Sequence, residues 1–269
     1  MTISPFVSES CTHVGTVRQR NEDAIVERPD LGLWAVADGA GGHGAGDVAS
    51  AAVAAALEAI PPGLSAAELL AQLRLRLMGV HAELHARAEA AGRGRLIATT
   101  VVALLARNGH YACLWAGDSR AYLLRDGTLL RLTRDHSLVQ EMVDRGELAE
   151  EEAESHPQAN IILRAVGANG ALELDKVSGH IAPGDAFLLC SDGLFKALPE
   201  SAIAARLQAG QGAAALVEAA LAAGARDNVS AVALREGGRV PKAVPVAVAT
   251  PALPPMPDDG GDLTLRAPL

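Results

Sequence analysis

Between residues 98 and 132 four strand-like runs follow one another with almost nothing between them, and this block limits the fold more than any other part of the chain. The runs cover about residues 98–107, 110–116, 120–125 and 128–132. Asn108-Gly109 and Asp126-Gly127 are hairpin signals, because a two-residue turn of the favoured hand needs positive φ at both positions, which Asn, Asp and Gly tolerate. Strands joined this tightly pair antiparallel, since parallel neighbours need a long crossover.

The remaining punctuation extends the picture. Two more β-like runs lie near residues 24–27 and 32–37, joined by Pro29-Asp30. A helix is predicted over about 46–60, ending at Pro61-Pro62, and a second over 65–91, where Ser65 and Glu68 form a capping box. A polar helical stretch, 137–154, precedes "NIILRAVG" at 160–167. Further strands are expected at 172–181 and 186–190, short helices at 200–208 and 213–223, and a last strand at 229–235. This order lacks the strand-helix alternation of a parallel sheet. It predicts packed antiparallel sheets covered by helices over residues 1–236, and a Pro/Gly-rich, disordered tail over 237–269.

Composition narrows the function classes. Hydrophobic residues make up 49% of the 269, enough for a real core, but aromatics are only 3%, so helices with small side chains must pack closely. The net charge is −9, from 23 basic and 32 acidic residues, and only Lys176, Lys196 and Lys242 are lysines, which argues against a nucleic-acid footprint. No apolar run is long enough to span a bilayer, and "MTISPFVSES" lacks the features of a signal peptide, so a cytoplasmic monomer without membrane contact is expected. Cys11, Cys113 and Cys190 are widely spaced and odd in number, which fits buried free thiols.

Chemistry concentrates where apolar runs end on aspartate: "LWAVADG" at Asp38, "CLWAGDS" at Asp118 and "FLLCSDG" at Asp192. "RDNVS" places Asp227 just before the last strand, and Asp23 stands at the start of an early one. In antiparallel sheets these ends gather at one rim. Five carboxylates in one cleft cannot all stay ionised uncompensated. All-oxygen ligation without His or Cys selects the hard ions Mg²⁺ or Mn²⁺. Taken alone, Asp38-Gly39 or Asp192-Gly193 reads equally as a turn, as Asp126-Gly127 does; the joint occurrence favours a shared site. Gly39-x-Gly41-x-x-Gly44 mimics a dinucleotide-binding loop, yet Asp38 would oppose a pyrophosphate, and no second parallel strand follows the helix.

Six motifs then fall in order: "GTVRQRNED" (15–23), "VADGAGGH" (36–43), "AGDSRAYLLRDG" (116–127), "LTRDHS" (132–137), "LLCSDGLF" (188–195) and "RDNVS" (226–230). In this the chain resembles the bacterial metal-dependent serine/threonine protein phosphatases of the protein phosphatase 2C type, over roughly residues 12–234. The resemblance implies an α+β fold, a four-layer α-β-β-α sandwich of two antiparallel sheets flanked by pairs of helices. It also implies two or three Mg²⁺ or Mn²⁺ ions.

By that resemblance Asp38 bridges two metals and the Gly39 carbonyl ligates one, Asp192 and Asp227 bind the other, and Asp23 and Glu22 hold metal-bound waters. Asp118 matches a third metal site, Arg18 the phosphate-binding arginine, and His43 a candidate general acid for the leaving Ser/Thr oxygen. The implied reaction is direct attack on phosphoserine or phosphothreonine by a hydroxide shared between metals about 4 Å apart. Phosphorylated Ser/Thr proteins, opposite a cognate bacterial kinase, are the implied partners. The segment 137–167 takes the place of the family's flap beside the cleft and is expected to help select them. Ala40 and Phe195-Lys196 depart from common family residues without removing a ligand.

The competing readings are weaker. A cysteine phosphatase needs an arginine six residues after its nucleophile, where Val17, Ser119 and Lys196 stand instead. In "HAELH" Glu83 is one residue late for a zinc helix, so His81 and His85 read as an exposed face. Arg20 reads as solvated or salt-bridged. A catalytically weak, phosphoprotein-binding pseudophosphatase would be favoured by a missing ligand, and the motifs lack none.

Overall fold

In the computed structural model of the protein, residues 6–40, 45–92 and 95–236 are described. Eleven strands, β1 (Phe6–His13), β2 (Asp23–Arg28), β3 (Leu33–Ala40), β4 (Ala98–Thr99), β5 (Val101–Arg107), β6 (His110–Ala116), β7 (Arg120–Arg125), β8 (Thr128–Arg131), β9 (Asp175–His180), β10 (Ala186–Cys190) and β11 (Val229–Glu236), form two sheets among these residues. One runs β1-β11-β10-β7-β8, the other β2-β3-β5-β6-β9, with β4 attached to β3. All ladders are antiparallel.

Asn108 and Gly109 have φ of 52° and 74°, and Asp126 and Gly127 of 50° and 75°, as the hairpin reading requires. Helices α1 (Gly46–Glu58) and α2 (Ala66–Ala90) cover the second sheet, and Ser65 with Glu68 makes the expected capping box. Two short helices, α3 (Leu138–Asp144) and α4 (Glu150–Ala153), form the flap. The one-turn α5 (Asp192–Phe195), with α6 (Glu200–Gln208) and α7 (Ala213–Ala222), covers the first sheet.

Three apolar layers hold these parts together. Trp34, Tyr111 and Phe187 fill the space between the sheets with Phe6, so the few aromatics are concentrated there. The Tyr111 and Phe187 rings meet edge to face at 5.1 Å between centroids. Outside, Ala49, Val53 and Leu57 of α1 and Leu69, Leu73 and Leu77 of α2 pack on the second sheet. Ile203, Leu207 and Leu216 pack on the first. The α-β-β-α sandwich is therefore as expected.

Four details differ from the sequence reading. Strand β1 was not anticipated, because its Ser8 and Ser10 donate hydrogen bonds to Glu27 and disguise the apolar alternation. The run at 98–107 is broken at Thr100, whose hydroxyl accepts a hydrogen bond from the Asp38 amide. The helical stretch 137–154 is split around Gly146, whose φ of 69° a right-handed helix cannot hold. The strand expected at 172–181 shortens to β9. The tail 237–269 lies outside the described residues.

Candidate active site

Asp23 and Asp38 are direct partners in the β2–β3 ladder, so the pleat puts both carboxylates on one face at the sheet's end. Asp38 is fixed through its backbone: its amide donates to Thr100 Oγ1, while its carbonyl accepts from the Thr100 amide at 2.8 Å and from Thr99 Oγ1 at 2.9 Å. Gly39 follows, packed so tightly against the carbonyls of Glu22 and Gly46 that a Cβ would collide with both. From the facing sheet, Asp192 opens α5 directly after β10, and Asp227 precedes β11. Asp118 lies in the tight connection between β6 and β7.

The charges act on one another across this rim. Burial, reinforced by Asp23, Asp192, Asp118 and Asp227, raises Asp38 well above the usual carboxylate range. Burial likewise pushes Asp23 and Asp118 up to about 7. Burial pushes Asp192 the same way, but Lys196, a hydrogen bond from Asp38 and the Arg18 charge outweigh it and hold Asp192 low.

Two protein cations answer these anions. The Arg18 fork grips Asp227 through Nε to Oδ1 at 2.9 Å and Nη2 to Oδ2 at 3.0 Å. Lys196 Nζ donates to Asp192 Oδ2 at 2.6 Å. Among the described residues no three His, Cys, Asp or Glu side chains converge as a ready cage; with Asp227 and Asp192 engaged in this way, ion binding must compete with protein cations. The donor set nevertheless suits hard ions. Among the described residues, Asp23 Oδ1 and Asp118 Oδ1 are buried without a hydrogen-bond partner, and ionised carboxylates only accept, so what they lack is a cation or a donor.

This arrangement has relatives. The sequence profile named Protein phosphatase 2C matches residues 9–228. The chain belongs to the protein phosphatase 2C family. The solved structure of PppA, described as a key regulatory component of T6SS in Pseudomonas aeruginosa, is 42% identical, superposes with a TM-score of 0.80, and covers 87% of this chain and 98% of that one. The Mycobacterium tuberculosis serine/threonine protein phosphatase PstP is 38% identical over 221 residues, 81% of this chain and 42% of PstP, so this chain matches less than half of that relative's length. The PstP catalytic domain solved with two manganese ions is 35% identical with a TM-score of 0.72, covering 86% of this chain and 97% of that one.

Within this protein phosphatase 2C domain, the five aspartates predicted from sequence lie near enough for the other four to act on Asp38, without closing into a ready cage among the described residues. Glu22 sits at the rim, raised by burial and by Asp47, beside Arg18. His43 lies outside the described residues. His81, expected on an exposed face, is instead structural: its Nδ1 accepts from the Gly167 amide at 3.0 Å and its Nε2 pairs with the Gly170 carbonyl at 2.9 Å, tying α2 to the loop after the flap. Cys113 and Cys190 are buried free thiols, and Cys11 is half-buried.

Sequence reasoning missed the residues that hold the ligands in place. Ser191 Oγ donates to Asp23 Oδ2 at 2.8 Å and accepts the Ser230 amide at 2.9 Å. Asn228 accepts from the Glu22 amide and donates to the Val14 and Arg20 carbonyls, pinning the Arg18 loop beside Asp227. Its position inside "RDNVS" was the only signal. Replacing Asn228 by alanine orphans three backbone groups in a buried setting and is expected to cost on the order of 1–3 kcal/mol in a denaturant titration. An unchanged midpoint would show that the loop is held by other contacts.

Three cations of the sandwich hold the flap, beside the backbone bridge between Thr99 and Val166. Arg120, buried and stacked 3.6 Å over the Phe195 ring, pairs with Asp135 and reaches Glu154 at 2.7 Å. Arg131 reaches Glu150, and Lys196 donates to Asn160 Oδ1. All three cations stand on the sandwich side of the cleft, so the flap's carboxylates and amide are docked against it.

Proposed function

We propose that this domain is a Mg²⁺- or Mn²⁺-dependent serine/threonine protein phosphatase that cleaves phosphoserine and phosphothreonine in proteins. The observation that carries this reading is the rim of five aspartates, Asp38, Asp118 and Asp192 buried and Asp23 and Asp227 half-buried, with Arg18 at its mouth. Asp38, Asp192, Asp227 and the Gly39 carbonyl are the ligand candidates, with Asp23 and Glu22 proposed to hold ordered water. Bound there, a pair of divalent ions would activate water and offset phosphate charge.

The chain's own residues supply the rest. Ion binding there would favour the ionised form of Asp38, which burial among like charges opposes. Were Asp227 to hold an ion, the Arg18 fork it now engages would be freed, and its planar donors fit two phosphate oxygens. The docked flap walls the cleft on one side and contributes to partner choice. His43 is the candidate donor to the leaving oxygen.

Phosphate release from a phosphothreonine peptide tests the reading: turnover should require Mn²⁺ or Mg²⁺, stop with chelator, and collapse in Asp192→Asn. Absent turnover in folded, ion-loaded protein would favour a phosphoprotein-binding role instead. Arg18→Ala is expected to raise KM roughly 10- to 100-fold, the worth of a charged hydrogen-bonded contact, without weakening Mn²⁺ affinity. A loss of Mn²⁺ affinity would place Arg18 among the supports of the ion site.

The substrates of a cognate Ser/Thr kinase are the proposed targets, acted on in the cytoplasm by a monomer. Its relatives' descriptions as Ser/Thr phosphatases and as a T6SS regulator support a signalling role. No helix among the described residues is long and apolar enough to cross a membrane.

A further inference from the structure

Lys196 sets this site apart. It stands one helical turn after Asp192, at the C-cap of α5, and is one of three lysines in the whole chain. Its ammonium gives one bond to Asp192 Oδ2 and another, at 2.8 Å, to Asn160 Oδ1 of the flap. Asp118, only 3% exposed, lines the same small cavity as Lys196, and the ammonium counters the repulsion Asp118 receives from Asp192. One positive charge is thus bonded to Asp192 and acts through space on Asp118, whose Oδ1 has no hydrogen-bond partner among the described residues.

The contrast with Arg18 shows why this charge stays. Arg18 and Asp227 form a pair at the mouth, with side chains 41% and 37% exposed, so the fork can leave into water when Asp227 takes a metal. Lys196 follows its partner by a single helical turn, with a side chain 27% exposed, and its head is tied to a second element. Its four-carbon stem leaves from the turn that carries Asp192, so the ammonium moves with that ligand.

We propose that the Lys196 ammonium takes the place of a third cation between Asp192 and Asp118, so that this domain binds two divalent ions and no third. The proposal rests on the two-ion reading above and departs from the expectation that Asp118 holds a metal. Asp118 then serves as a counter-charge for Lys196, and the flap, through Asn160, is fastened to the same ammonium.

Titrating the folded, chelator-stripped protein with Mn²⁺, and counting bound ions from the electron paramagnetic resonance signal of free Mn²⁺, tests this without reference to activity. The expected counts are two for the wild type, two for Asp118→Asn and three for Lys196→Asp. The double variant Lys196→Asp/Asp118→Asn should return to two. A wild type that binds three ions and loses one in Asp118→Asn overturns the proposal, as does a folded Lys196→Asp that still binds two. If Lys196→Asp does not fold by circular dichroism, the wild type and Asp118→Asn decide alone: equal counts of two support it, and a loss overturns it. A wild type that binds no Mn²⁺ removes the phosphatase reading itself, a result distinct from a count of three.

Discussion

Asp38→Asn is expected to lower phosphate release by more than about 100-fold, since even the partners of metal ligands are worth 10- to 100-fold, and to make the metal-free protein melt at a higher temperature. The two effects have one cause. Asp38 is buried beside Asp23 in the ladder, and its charge is opposed by Asp192, Asp118 and Asp227. Burial among these charges favours its protonated form, whereas the unfolded chain is ionised at neutral pH, and that difference costs stability. Asparagine has nearly the shape of the protonated acid, can donate to Asp192 as the acid does, and requires no proton. Each kcal/mol recovered raises the melting temperature by about 2–4 °C for a chain of this size. Adding Mn²⁺ should then stabilise the wild type far more than the variant. A melting temperature that falls in chelator would mean that Asp38 is a net support of the metal-free fold, contrary to its surroundings.

The readable part of the sequence was the part set by local geometry. Asn108-Gly109 and Asp126-Gly127 can hold the positive φ of tight hairpins, so the antiparallel block followed directly. Ser65 and Glu68 marked a helix start because their reciprocal bonds are local. The aspartates were visible because each ends or begins an apolar run, and antiparallel pairing brings such ends together. What escaped was set by partners distant in sequence. Strand β1 exists because β11 pairs with all eight of its residues, and nothing within "FVSESCTH" announces that. Asn228 supports a loop more than 200 residues away. Ser191 supports Asp23 across 168 residues. Lys196 looked like a departure from a family pattern, and its role depends on Asn160 and Asp118, neither of which its own helix turn specifies.

Metal-free protein is expected to be less stable at pH 7.5 than at pH 5.5, and Mn²⁺ is expected to reverse that order. Asp23 and Asp118 titrate at about 7 when folded, against 3.8 for an ordinary aspartate, and Asp38 is raised as well. A carboxyl raised by folding keeps its proton where the unfolded chain has lost it. Its contribution is therefore complete below about pH 4 and is lost as the pH climbs toward 7, with a slope on the order of 1 kcal/mol per pH unit for one carboxyl titrating alone. His136 works the other way: burial lowers it, so it favours the folded state less as the pH falls through 6.5. Three carboxyls outweigh one imidazole, and Asp192, which is lowered, stays ionised in both states across this window. With Mn²⁺ the sign changes, because ligands must be ionised to bind and affinity rises with pH. Thermal melts in chelator and in Mn²⁺ at the two pH values measure both slopes, and Asp118→Asn should flatten the first. Parallel slopes with and without Mn²⁺ would mean that the aspartate rim does not govern the acid-side stability of this fold.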